Sequence, residues 1–533
     1  MEPDKRKASL GKLNKQYIFS ITAIMLFTII VFSNSINNEI LYGWDDGEYI
    51  ENQDIRDFNV RAFFSEYYLG MYQPLAIFSF AINYISAKDN PVPYHTTNLF
   101  LHLFNVFLVF LLFQKLTNRI EISFAVSLLF AIHPMHVEAV AWIATRSNGL
   151  YSLFYLASLI AYINYIKDNS YLWLAVSFVL FLLSCFSKSM AITLPLTLLL
   201  LDYYYSRKIN FRLFIEKTPF LFISIVFGLI SIKAATDFGH LQYLDQDYTL
   251  LNRLFLISYS IVFYIVRVFV PVNLSAVYAY PDINSGVLPY AYYGSFFILT
   301  IIMALAFKSG KLRKTIIFGL MWFIINISIV LPLMWSRMLM LADRYTYIPY
   351  LGLFFILAKV YAYTVNSQKP LIKKFRPIIY STLVIWIVFL VVKTYQSNNV
   401  WKNSESLVTN VINNERSDKD LSIGYFFRGN IYDKKQDFKA ALKDFTKAIE
   451  LNSGYTMAYN NRGIIKGIMN DMKGAYDDFS MAIEKEPDYA DAWYNRGNVL
   501  FYIKKNEEAC QNWHKASELG SLQAEKIYRQ YCK

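Results

Sequence analysis

The chain has 533 residues, of which 55% are apolar, 18% aromatic and only 17% charged, and its formal net charge is +12. A soluble protein has about 25% charged residues, so this composition excludes an ordinary soluble protein of this length. Most of the positive charge lies in short loops between apolar runs, where it sets membrane orientation. Neither a basic helix nor an aromatic–basic ribonucleoprotein motif is present, so nucleic acid is not an expected partner.

The N-terminus joins a basic stretch to an apolar run from Tyr17 to Phe32. This pattern resembles a signal peptide, but the run leads into Ser33-Asn34-Ser35-Ile36-Asn37-Asn38, which offers no small-residue cleavage site. We therefore predict an uncleaved first membrane helix. The basic residues before it are Lys5, Arg6, Lys7, Lys12 and Lys15.

Eleven apolar stretches are predicted to span a membrane, because a bilayer core takes about 20 mostly apolar helical residues. They are 17–34, 95–114, 121–135, 148–166, 171–187, 190–205, 217–235, 289–307, 316–334, 346–364 and 378–395. Two further stretches do not fit, since residues 74–86 are too short and residues 254–270 would break the alternation of the loops. Both are predicted to lie at, or dip into, the outer interface of the membrane.

The distribution of Lys and Arg among the loops predicts the orientation. Loops rich in basic residues stay in the cytoplasm. They are the N-terminus, Lys115/Arg119, Lys167, Arg207 to Lys217, Lys308 to Lys314 and Lys369 to Arg376. The loops 35–93 and 136–147, the stretch 236–288 and the tail 396–533 then face outward, as an odd number of spans requires. If residues 254–270 span the membrane, the tail becomes cytoplasmic.

The tail repeats itself at a spacing of 34 residues. The coinciding residues are Tyr425-Phe-Phe-Arg-Gly429, Tyr459-Asn-Asn-Arg-Gly463 and Trp493-Tyr-Asn-Arg-Gly497, then Ala441, Ala475 and Ala509, then Phe445, Phe479 and Trp513, then Ala448, Ala482 and Ala516. This is the tetratricopeptide repeat (TPR) pattern of two antiparallel helices per repeat. Residues 401–420 are predicted to add an earlier partial repeat. Such a stack presents a concave groove that binds a peptide or protein, or it acts as a spacer.

The three cysteines divide between the two regions. Cys185 lies in an apolar run and is predicted to be in the core or to face lipid. Cys510 and Cys532 lie in the tail, where they pair if the tail faces an oxidising space. Two unpaired small residues are the alternative.

The outer loop 35–93 carries an adjacent carboxylate pair, Asp45 and Asp46, in Gly43-Trp44-Asp45-Asp46-Gly47. One carboxylate can take a proton from an attacking hydroxyl. The other can orient it, bind a metal, or raise its partner's pKa by like-charge repulsion. A solvated acidic turn is the alternative, because adjacent acids are common in loops.

A second polar group lies at the outer end of the third span, in His133-Pro-Met-His136-Val-Glu138-Ala-Val-Ala-Trp142-Ile-Ala-Thr-Arg146. Polar groups at membrane depth are costly and usually functional. His133, His136 and Glu138 are suitable ligands for a divalent metal, but their spacing matches no standard zinc motif, so a metal stays an open alternative. Arg146 suits a phosphate oxygen, because guanidinium offers a planar fork of donors. Interfacial anchoring is the alternative for the group.

A third group, Ala342-Asp343-Arg344-Tyr345, lies at the outer entry to the tenth span. Arg344 is a second candidate phosphate ligand, which Asp343 is predicted to neutralise. Lys188 is either a third cation of the site or a lysine that reaches up to the interface. These outward-facing charges suit a reaction between a lipid-linked phosphate donor and a hydroxyl acceptor. A nucleotide sugar is not expected, since no Gly-rich phosphate loop or Rossmann fingerprint is present.

The motifs follow one another in a specific order. They are the acidic pair, Tyr72-Gln-Pro-Leu75, Tyr94-His95-Thr-Thr-Asn98, His133-Pro-Met-His-Val-Glu-Ala-Val-Ala-Trp142, Lys188, Leu194-Pro195, Asp343-Arg344-Tyr345, Trp401 and the TPRs. In this order they resemble the transmembrane and TPR-containing (TMTC) O-mannosyltransferase-like family, including its bacterial relatives. The resemblance covers nearly the whole chain, and the stretch from His133 to Trp142 followed by TPRs is its specific part.

The resemblance implies a glycosyltransferase of the GT-C superfamily, with a catalytic acid in the first outer loop and a polyprenyl-phosphate sugar as donor. It implies that Asp45 or Asp46 is the base and that Arg146 and Arg344, joined by Lys188, hold the donor phosphate. The supporting residues are His95, His133, His136, Glu138 and Asp343. The chain departs from the family pattern at Ser189, where an acid is frequent, and in its short TPR array, so its acceptors are expected to differ from those of the animal enzymes.

The sequence therefore predicts an all-α chain with a polytopic GT-C-like domain in residues 1–395, a connector and partial repeat in 396–424 and a three-repeat TPR α-solenoid in 425–533. We expect it to transfer a sugar, with mannose as the candidate, to a protein Ser or Thr hydroxyl. The implied location is the periplasmic face of a bacterial inner membrane, with the TPR groove holding the acceptor. A TPR scaffold for envelope assembly and an O-antigen ligase-like enzyme are the alternatives.

Overall fold

Helices form almost all of the regular structure, as the sequence predicts. The computed structural model describes residues 3–208, 210–239, 242–243, 248–281, 287–333, 335–336, 339–414 and 417–532. The chain divides into two units, Met1–Asn403 and Ser404–Lys533. Their boundary falls inside the predicted connector 396–424, while the predicted domain division itself stays a prediction.

The first unit alternates long apolar helices with short ones. Its helices are α1 (Pro3–Phe32), α2 (Asp45–Ile50), α3 (Gln53–Arg56), α4 (Val60–Ser65), α5 (Pro74–Ala87), α6 (Pro91–Thr117), α7 (Ile120–Ile132), α8 (Val137–Ala141), α9 (Arg146–Asp168), α10 (Tyr171–Ser187), α11 (Leu194–Tyr204), α12 (Phe211–Asp237), α13 (Leu250–Phe269), α14 (Tyr290–Lys308), α15 (Arg313–Ile327), α16 (Tyr350–Val365) and α17 (Pro370–Val400). Strands β1 (Gln242–Tyr243) and β2 (Trp335–Ser336) pair antiparallel and join the loops after α12 and α15.

Two regions of the sequence prediction fall partly outside this description. The side chains of the first fourteen residues, which include Lys5, Arg6, Lys7 and Lys12, lie outside the described part. The same is true of residues 240–241, 244–247 and 282–286, which belong to the predicted outer stretch 236–288.

Within the described residues, eight helices are long and apolar enough to cross a membrane. These segments are Lys15–Asn37, Pro91–Thr117, Ile143–Asp168, Phe211–Asp237, Leu250–Phe269, Tyr290–Lys308, Gly310–Val330 and Pro370–Val400. A ninth results if α7 and Pro134–Ala141, which meet at a bend of 60°, count as one span. By the length and composition of its helices, the chain is a multi-pass membrane protein, as predicted.

The predicted number of eleven spans is higher than the number of helices with this length. Three predicted spans coincide with the shorter apolar helices Tyr171–Ser187, Ser189–Tyr204 and Tyr350–Val365. At about 1.5 Å per residue, a helix of this size measures roughly 25 Å, less than the about 30 Å of a bilayer core. A run of apolar residues in the sequence does not reveal where the helix inside it begins and ends.

The stretch 254–270 was predicted to lie at the interface of the membrane. It belongs to α13, a 20-residue helix that meets the same requirements of length and composition as the other spans. Its assignment to the interface, and with it the outward orientation of the tail, therefore stays a prediction. Residues 74–86 form α5, which has 14 residues and is too short to span, as expected.

Loop 35–93, which is predicted to face outward and is called the outer loop below, folds into a layer of short helices rather than an open loop. Asn52 and Asn59 cap α3 and α4, since their side-chain oxygens accept the main-chain N–H groups of Ile55 and Ala62. Phe63 is fully buried against Phe58, whose ring centroid is 6.0 Å away. The acidic pair at the start of α2 is thus carried by a packed scaffold.

The end of α17 is fastened to the start of this outer loop. The Asn398 side chain donates to the carbonyl of Val31 at 3.1 Å, and the carbonyl of Lys402 accepts the N–H of Glu39 at 2.8 Å. These contacts fix the position of Trp401 against the loop.

The second unit consists of paired antiparallel helices. They are α18 (Ser404–Asn414), α19 (Asp418–Lys434), α20 (Phe438–Leu451), α21 (Thr456–Ile468), α22 (Met472–Lys485), α23 (Ala490–Tyr502), α24 (Asn506–Glu518) and α25 (Leu522–Tyr531). The pairs α19/α20, α21/α22 and α23/α24 correspond to the three predicted repeats. A helical TPR solenoid is therefore confirmed.

Close helix approach explains why glycine recurs every 34 residues. A Cβ atom added at Gly463 would lie 2.8 Å from the Phe479 ring, and one at Gly497 would lie 2.6 Å from the Trp513 ring. No side chain fits between these helices without displacing the aromatic ring.

Each repeat also contains a polar pair that the sequence prediction missed. Arg428 bonds Asp444 at 2.7 Å, and Arg462 bonds Asp478 at 2.7 Å. In the third repeat Arg496 donates to the Asn512 side chain at 2.8 Å. The arginine of the repeated Arg-Gly motif therefore ties the first helix of each repeat to the second.

The tail cysteines form a disulfide. Cys510 and Cys532 lie 5.6 Å apart between Cα atoms and join the end of α25 to α24. The sequence left open whether these two cysteines are paired or free, and in the structure they are paired. Cys185 is buried in the core of the first unit.

Candidate functional site

The two acids of the outer loop have different surroundings. Asp46 is fully buried, and its carboxylate accepts the main-chain N–H groups of Ala144 at 2.8 Å and Leu41 at 3.1 Å. Burial raises the pKa of Asp46 to about 7, against the opposing effect of these two hydrogen bonds. Asp45 is only half-buried. Asp46 therefore fastens α2 to the turn before α9, and Asp45 is the more accessible carboxylate.

Glu138 and Arg344 form an ion pair across the first unit. Oε2 of Glu138 accepts the main-chain N–H of Arg344 at 2.7 Å, and Oε1 contacts the guanidinium. The Glu138 side chain is 2% exposed and that of Arg344 18%. A buried carboxylate thus holds a partly accessible cation in one orientation.

Asp343 accepts a hydrogen bond that the sequence did not predict. It is buried and accepts a hydrogen bond from the Tyr278 hydroxyl at 2.9 Å. Burial and the charge of Glu138 raise the pKa of Asp343 well above its ordinary value. Glu138, which lies on another helix, is the carboxylate that pairs with Arg344, and the neutralising role of Asp343 stays a prediction.

The charge of Asp45 acts on the same cation. Burial alone would lower the pKa of Arg344, but Glu138, Tyr345 and Asp45 raise it above its ordinary value. Arg344 therefore stays charged, and the accessible acid of the outer loop belongs to its electrostatic surroundings.

Trp142 connects the separate parts of this region. The Cζ atom of Arg344 lies 5.4 Å from the Trp142 ring centroid. On other sides, the Trp401 ring stacks on Trp142 at 5.2 Å, and the Trp44 ring meets it edge-on at 6.3 Å. The tryptophan at the end of the predicted motif thus lies between the acidic loop, the arginine and the end of α17.

Arg146 lies beside this cluster but faces the protein. It is 1% exposed, and its guanidinium donates to the Asn98 side chain at 3.0 Å and to the carbonyls of Ser79 and Tyr94, each at 3.1 Å. Its Cζ atom lies 4.3 Å from the Phe80 ring centroid. These contacts favour a structural role in joining α5, α6 and α9, so the predicted contact with donor phosphate is not supported by its burial.

Lys188 is partly exposed at the end of α10. Its ammonium donates to the Asn148 side chain at 2.8 Å, two residues from Arg146 on α9. The neighbouring Phe186 packs against Phe64 of the outer loop at 6.0 Å between ring centroids. Lys188 is therefore a partly accessible cation, as is Arg344.

The histidines form no metal site with Glu138. Nε2 of His133 contacts the carbonyl of Val268 at 3.0 Å, and Nδ1 of His136 contacts that of Phe130 at 2.9 Å. Both histidines are fully buried, and His95 is 2% exposed. Across the described part of the chain, no three His, Cys, Asp or Glu side chains are arranged to hold a metal ion. The metal alternative gains no support from this arrangement.

A polar stripe on α6 was only partly recognised from the sequence, which pointed to His95 and Asn98 but not to His102 or Asn105. Asn98 holds Arg146, Nδ1 of His102 contacts the Tyr347 hydroxyl at 2.7 Å, and Asn105 donates to the carbonyl of Gly149 at 2.9 Å. With His95, these residues recur at spacings of three, four and three positions in an otherwise apolar helix. That spacing places them on one helix face and could have revealed the stripe.

Two tetratricopeptide repeat family models match the tail, at residues 422–455 and 479–511. A curated relative, a protein O-mannosyl-transferase of Caenorhabditis elegans, is 26% identical over 473 residues, 83% of this chain and 64% of the relative. Protein O-mannosyl-transferase TMTC3 of Homo sapiens is 36% identical over 114 residues, 21% of this chain and 12% of the relative. The resemblance to the TMTC family is therefore confirmed, while the chain spans less than two thirds of either relative.

Among solved structures, the first TPR of Spaghetti (RPAP3) bound to an HSP90 peptide aligns with a TM-score of 0.21 and 23% identity, over 22% of this chain and 92% of that one. The TPR assignment rests on the family models and on the helix pairs themselves.

Proposed function

We propose that this chain is a membrane glycosyltransferase that moves a sugar, with mannose as the candidate, from a polyprenyl-phosphate donor to a Ser or Thr hydroxyl of a protein. The observation that carries this proposal is the half-buried acid Asp45 within the electrostatic reach of the fixed cation Arg344. The names of the relatives, protein O-mannosyl-transferases, support the reaction class.

Asp45 is the general base in this proposal. A base has to reach the proton of the attacking hydroxyl, and Asp45 is the more exposed of the two acids. Both oxygens of Asp46 are occupied by main-chain N–H groups of Leu41 and Ala144. Asp46 accordingly positions α2, and thereby Asp45, against the turn before α9.

Arg344 and Lys188 bind the lipid phosphate as it leaves the sugar. The acceptor oxygen attacks the anomeric carbon as its proton passes to Asp45, and the bond between that carbon and the phosphate oxygen breaks with both electrons going to the phosphate. Two cations near the departing lipid phosphate stabilise its charge, a contribution that is large in a water-poor site. A single displacement of this kind inverts the anomeric carbon, as analogy with the family implies.

The second unit supports a binding place for the acceptor and an orientation of the chain in the membrane. A TPR groove that holds the acceptor polypeptide raises its effective concentration at the site. The disulfide between Cys510 and Cys532 favours an oxidising compartment for the tail. Loop 35–93 and the tail are accordingly proposed to face the periplasm from the bacterial inner membrane, the location expected from the resemblance.

The proposal is tested by sugar transfer from polyprenyl-phospho-mannose to a Ser/Thr peptide, with the full chain in lipid nanodiscs and glycopeptides measured by mass spectrometry. Asp45→Asn is expected to lower the rate at least about 100-fold, the lower range for general-base catalysis. Glu48→Gln, an exposed acid on the same helix, is the matched control and is expected to retain the parental rate. Parental transfer by Asp45→Asn would remove Asp45 from the role of base, and no transfer by the parent would count against the proposed reaction and favour a scaffold.

A further inference from the structure

The short helices of the outer loop surround an open pocket of about 510 Å³. Its walls are formed by the start of α3, by α4 and by residues 66–68, which follow α4. Pockets that hold a small ligand have volumes of about 300–1,000 Å³, so this one has room for a sugar-sized molecule. Asp45, Arg344 and Lys188 are not among the described residues that line it, and the pocket is therefore separate from the proposed reaction centre.

The lining of the pocket is polar and carries charges of both signs. Apart from Ala62, every described side chain in the lining has a polar atom, and the charged ones are Asp54, Glu66 and Arg61. An apolar ligand would bury these groups without hydrogen bonds, and a strongly charged ligand would meet a like charge as well as an opposite one. The lining thus suits a neutral ligand with several hydroxyl groups, each of which both donates and accepts.

Hydrogen bonds within the lining hold part of the pocket wall in place. Nδ2 of Asn59 donates to Oδ1 of Asp54 at 2.9 Å, and the Tyr68 hydroxyl donates to Oδ2 of Asp54 at 3.3 Å. The side-chain oxygens of Asn52 and Asn59 accept main-chain N–H groups at the starts of α3 and α4. A ligand that contacts this wall therefore costs the wall little further freedom.

Other polar groups of the lining keep their hydrogen-bonding capacity. Within the described part of the chain, no hydrogen bond or ion pair engages Nδ2 of Asn52, the guanidinium of Arg61 or the Tyr67 hydroxyl. The exposed carboxylate of Glu66 accepts a long hydrogen bond of 3.5 Å from Ser65. These groups offer both donors and an acceptor to the hydroxyl groups of a ligand.

Tyr67 gives the pocket an aromatic wall. Its ring meets the Tyr72 ring edge-on at 6.2 Å between centroids, and the Tyr72 hydroxyl donates to the carbonyl of Phe64 at 3.1 Å. A pyranose has an apolar C–H face that packs on an aromatic ring, and hydroxyl groups at its edge that bond to amides and carboxylates. A supported ring beside amide and carboxylate groups therefore favours a sugar over an inorganic ion.

We propose that this pocket, called the α3–α4 pocket, binds a neutral sugar that the acceptor polypeptide already carries. A donor sugar is attached directly to its phosphate and has to lie beside Asp45 and the cations, so it does not occupy the pocket. The wall helix α4 packs next to the proposed phosphate ligand Lys188, since Phe64 contacts Phe186, two positions before that lysine. One sugar of the acceptor occupies the pocket while a hydroxyl elsewhere on the same polypeptide reaches Asp45. This recognition deepens the proposed function and rests on it for the identity of the acceptor as a polypeptide.

The test uses the full chain in nanodiscs and two fluorescein-labelled peptides of four Ala-Thr-Val-Ser units, one unmodified and one with a single α-mannosyl threonine. Fluorescence anisotropy, without sugar donor, is expected to show at least about 10-fold tighter binding of the glycopeptide by the parent. Asn52→Asp keeps the oxygen that caps α3 but loses the amide donors, and Tyr67→Ala removes the aromatic wall. Each is expected to weaken glycopeptide binding about 5- to 10-fold and to leave peptide binding unchanged.

Glu51→Gln is the matched control, because Glu51 is an exposed acid next to Asn52 and is not among the described residues that line the pocket. It is expected to bind both peptides like the parent. Equal affinity of the parent for the two peptides, or parental glycopeptide affinity in both pocket variants, overturns the proposal.

Two further probes need no change to the protein. Excess methyl α-mannoside is expected to reduce glycopeptide binding to the level of the unmodified peptide, because it fills the pocket and leaves the other contacts of the peptide. A peptide with glucuronic acid on the same threonine is expected to bind no more tightly than the mannosyl peptide. The absence of competition, methyl α-mannoside binding as tight as that of the glycopeptide, or about 10-fold tighter binding of the glucuronyl peptide overturns the proposal. These results would indicate no sugar site, a site for free sugar and an anion site at Arg61, respectively, even if a pocket variant folds poorly.

Binding is measured without sugar donor, so this test is separate from that of the transferase. Preference for the glycopeptide by a chain that transfers no sugar would leave the pocket as a sugar-binding site and remove the proposed function. Sugar transfer by a parent that binds the two peptides equally would do the reverse.

Discussion

Glu138 accepts hydrogen bonds from both the main-chain N–H and the guanidinium of Arg344, which lies 206 positions further along the chain. The pair joins the short helix α8 to the segment that precedes α16. It also fixes the guanidinium near Trp142, whose ring centroid lies 5.4 Å from Cζ. An arginine held by its backbone and its side chain loses little further freedom when it contacts a ligand.

Breaking this pair is expected to impair donor use more than folding. Glu138→Gln keeps an acceptor oxygen but removes the charge, and Arg344→Lys removes the planar fork of donors. Since a hydrogen bond to a charged group contributes about 1.5–3 kcal/mol, we expect kcat/KM for the lipid-linked donor to fall roughly 10- to 150-fold in each variant. Initial rates at several donor concentrations, measured in nanodiscs, check this.

Arg146→Lys is the comparison for these variants, because Arg146 is buried and bonded to Asn98, Ser79 and Tyr94. Lysine cannot reach three acceptors in the geometry of the guanidinium fork. We expect the midpoint of thermal unfolding in detergent to fall while the KM for the donor stays within about twofold of the parent. A raised donor KM at an unchanged midpoint would instead make Arg146 a phosphate ligand, as the sequence predicts.

The buried acid Asp46 is expected to make stability depend on pH. Its pKa is raised from 3.8 to about 7 in the folded chain, so between these values the folded state binds more protons than the unfolded state. Stability from this group is therefore present at low pH and is lost as the pH rises toward 7, above which the effect is constant. Thermal midpoints from pH 4.5 to 7.5 should fall by about 3 °C more in the parent than in Asp46→Asn. Parallel profiles would show that the carboxyl is charged throughout.

Alanine substitutions at two glycines on α21 distinguish the effect of close packing on stability from the effect of helix propensity. A Cβ at Gly463 meets the Phe479 ring at 2.8 Å, whereas one at Gly467 has its nearest neighbour, the Cβ of Ala475, at 3.9 Å. Gly463→Ala is expected to destabilise the second unit by about 1–3 kcal/mol through overpacking. Gly467→Ala is expected to leave its stability unchanged or raise it by up to about 1 kcal/mol.

Hydrogen–deuterium exchange of α21 and α22 in the full chain provides the measurement, since amides in a destabilised unit open more often. Faster exchange in Gly463→Ala alone is the expected result. Equal exchange in the two variants would mean that the aromatic ring moves aside without cost.

The repeats could be found from the sequence because their chemistry is local and recurs. Gly463 and Phe479 are 16 positions apart, and the same close approach imposes the same residue types in every repeat. The periodic residues therefore predicted the helix pairs themselves. The hydrogen bond between Asn461 and Asn430 was missed, because the two residues are 31 positions apart and Phe427 occupies the position 34 residues before Asn461.

The site was only partly predictable, because burial depends on segments far apart in the chain. The sequence identified Asp45, Asp46, Glu138 and Arg344 as candidate site residues. In the structure Asp46 is buried, and the charges of Glu138 and Asp45 both act on Arg344. It could not show that Arg146 would be enclosed by α5 and α6, since either an exposed or a buried arginine fits the same motif. Hydropathy likewise did not reveal the bend after α7 or the break before Ser189, which depend on tertiary packing.

The orientation of the chain is the last prediction, and single cysteines with a membrane-impermeant maleimide test it in intact spheroplasts. Glu48→Cys lies in the outer loop, Lys311→Cys in a basic loop and Lys443→Cys on α20, and all three positions are exposed. We expect positions 48 and 443 to react from outside and position 311 only after permeabilisation, because basic loops stay in the cytoplasm. Buried Cys185 and the paired Cys510 and Cys532 should give little background.

The decisive position is 443, because α13 is long enough to span. If α13 crosses the membrane and the other predicted spans hold, the number of spans changes parity and position 443 reacts only after permeabilisation. That result would place the tail in the cytoplasm, where disulfides are rare, and the TPR groove could not hold an acceptor for a site on the outer face. Reaction of positions 48 and 443 from outside would put the outer loop and the tail on the side that the proposed reaction requires.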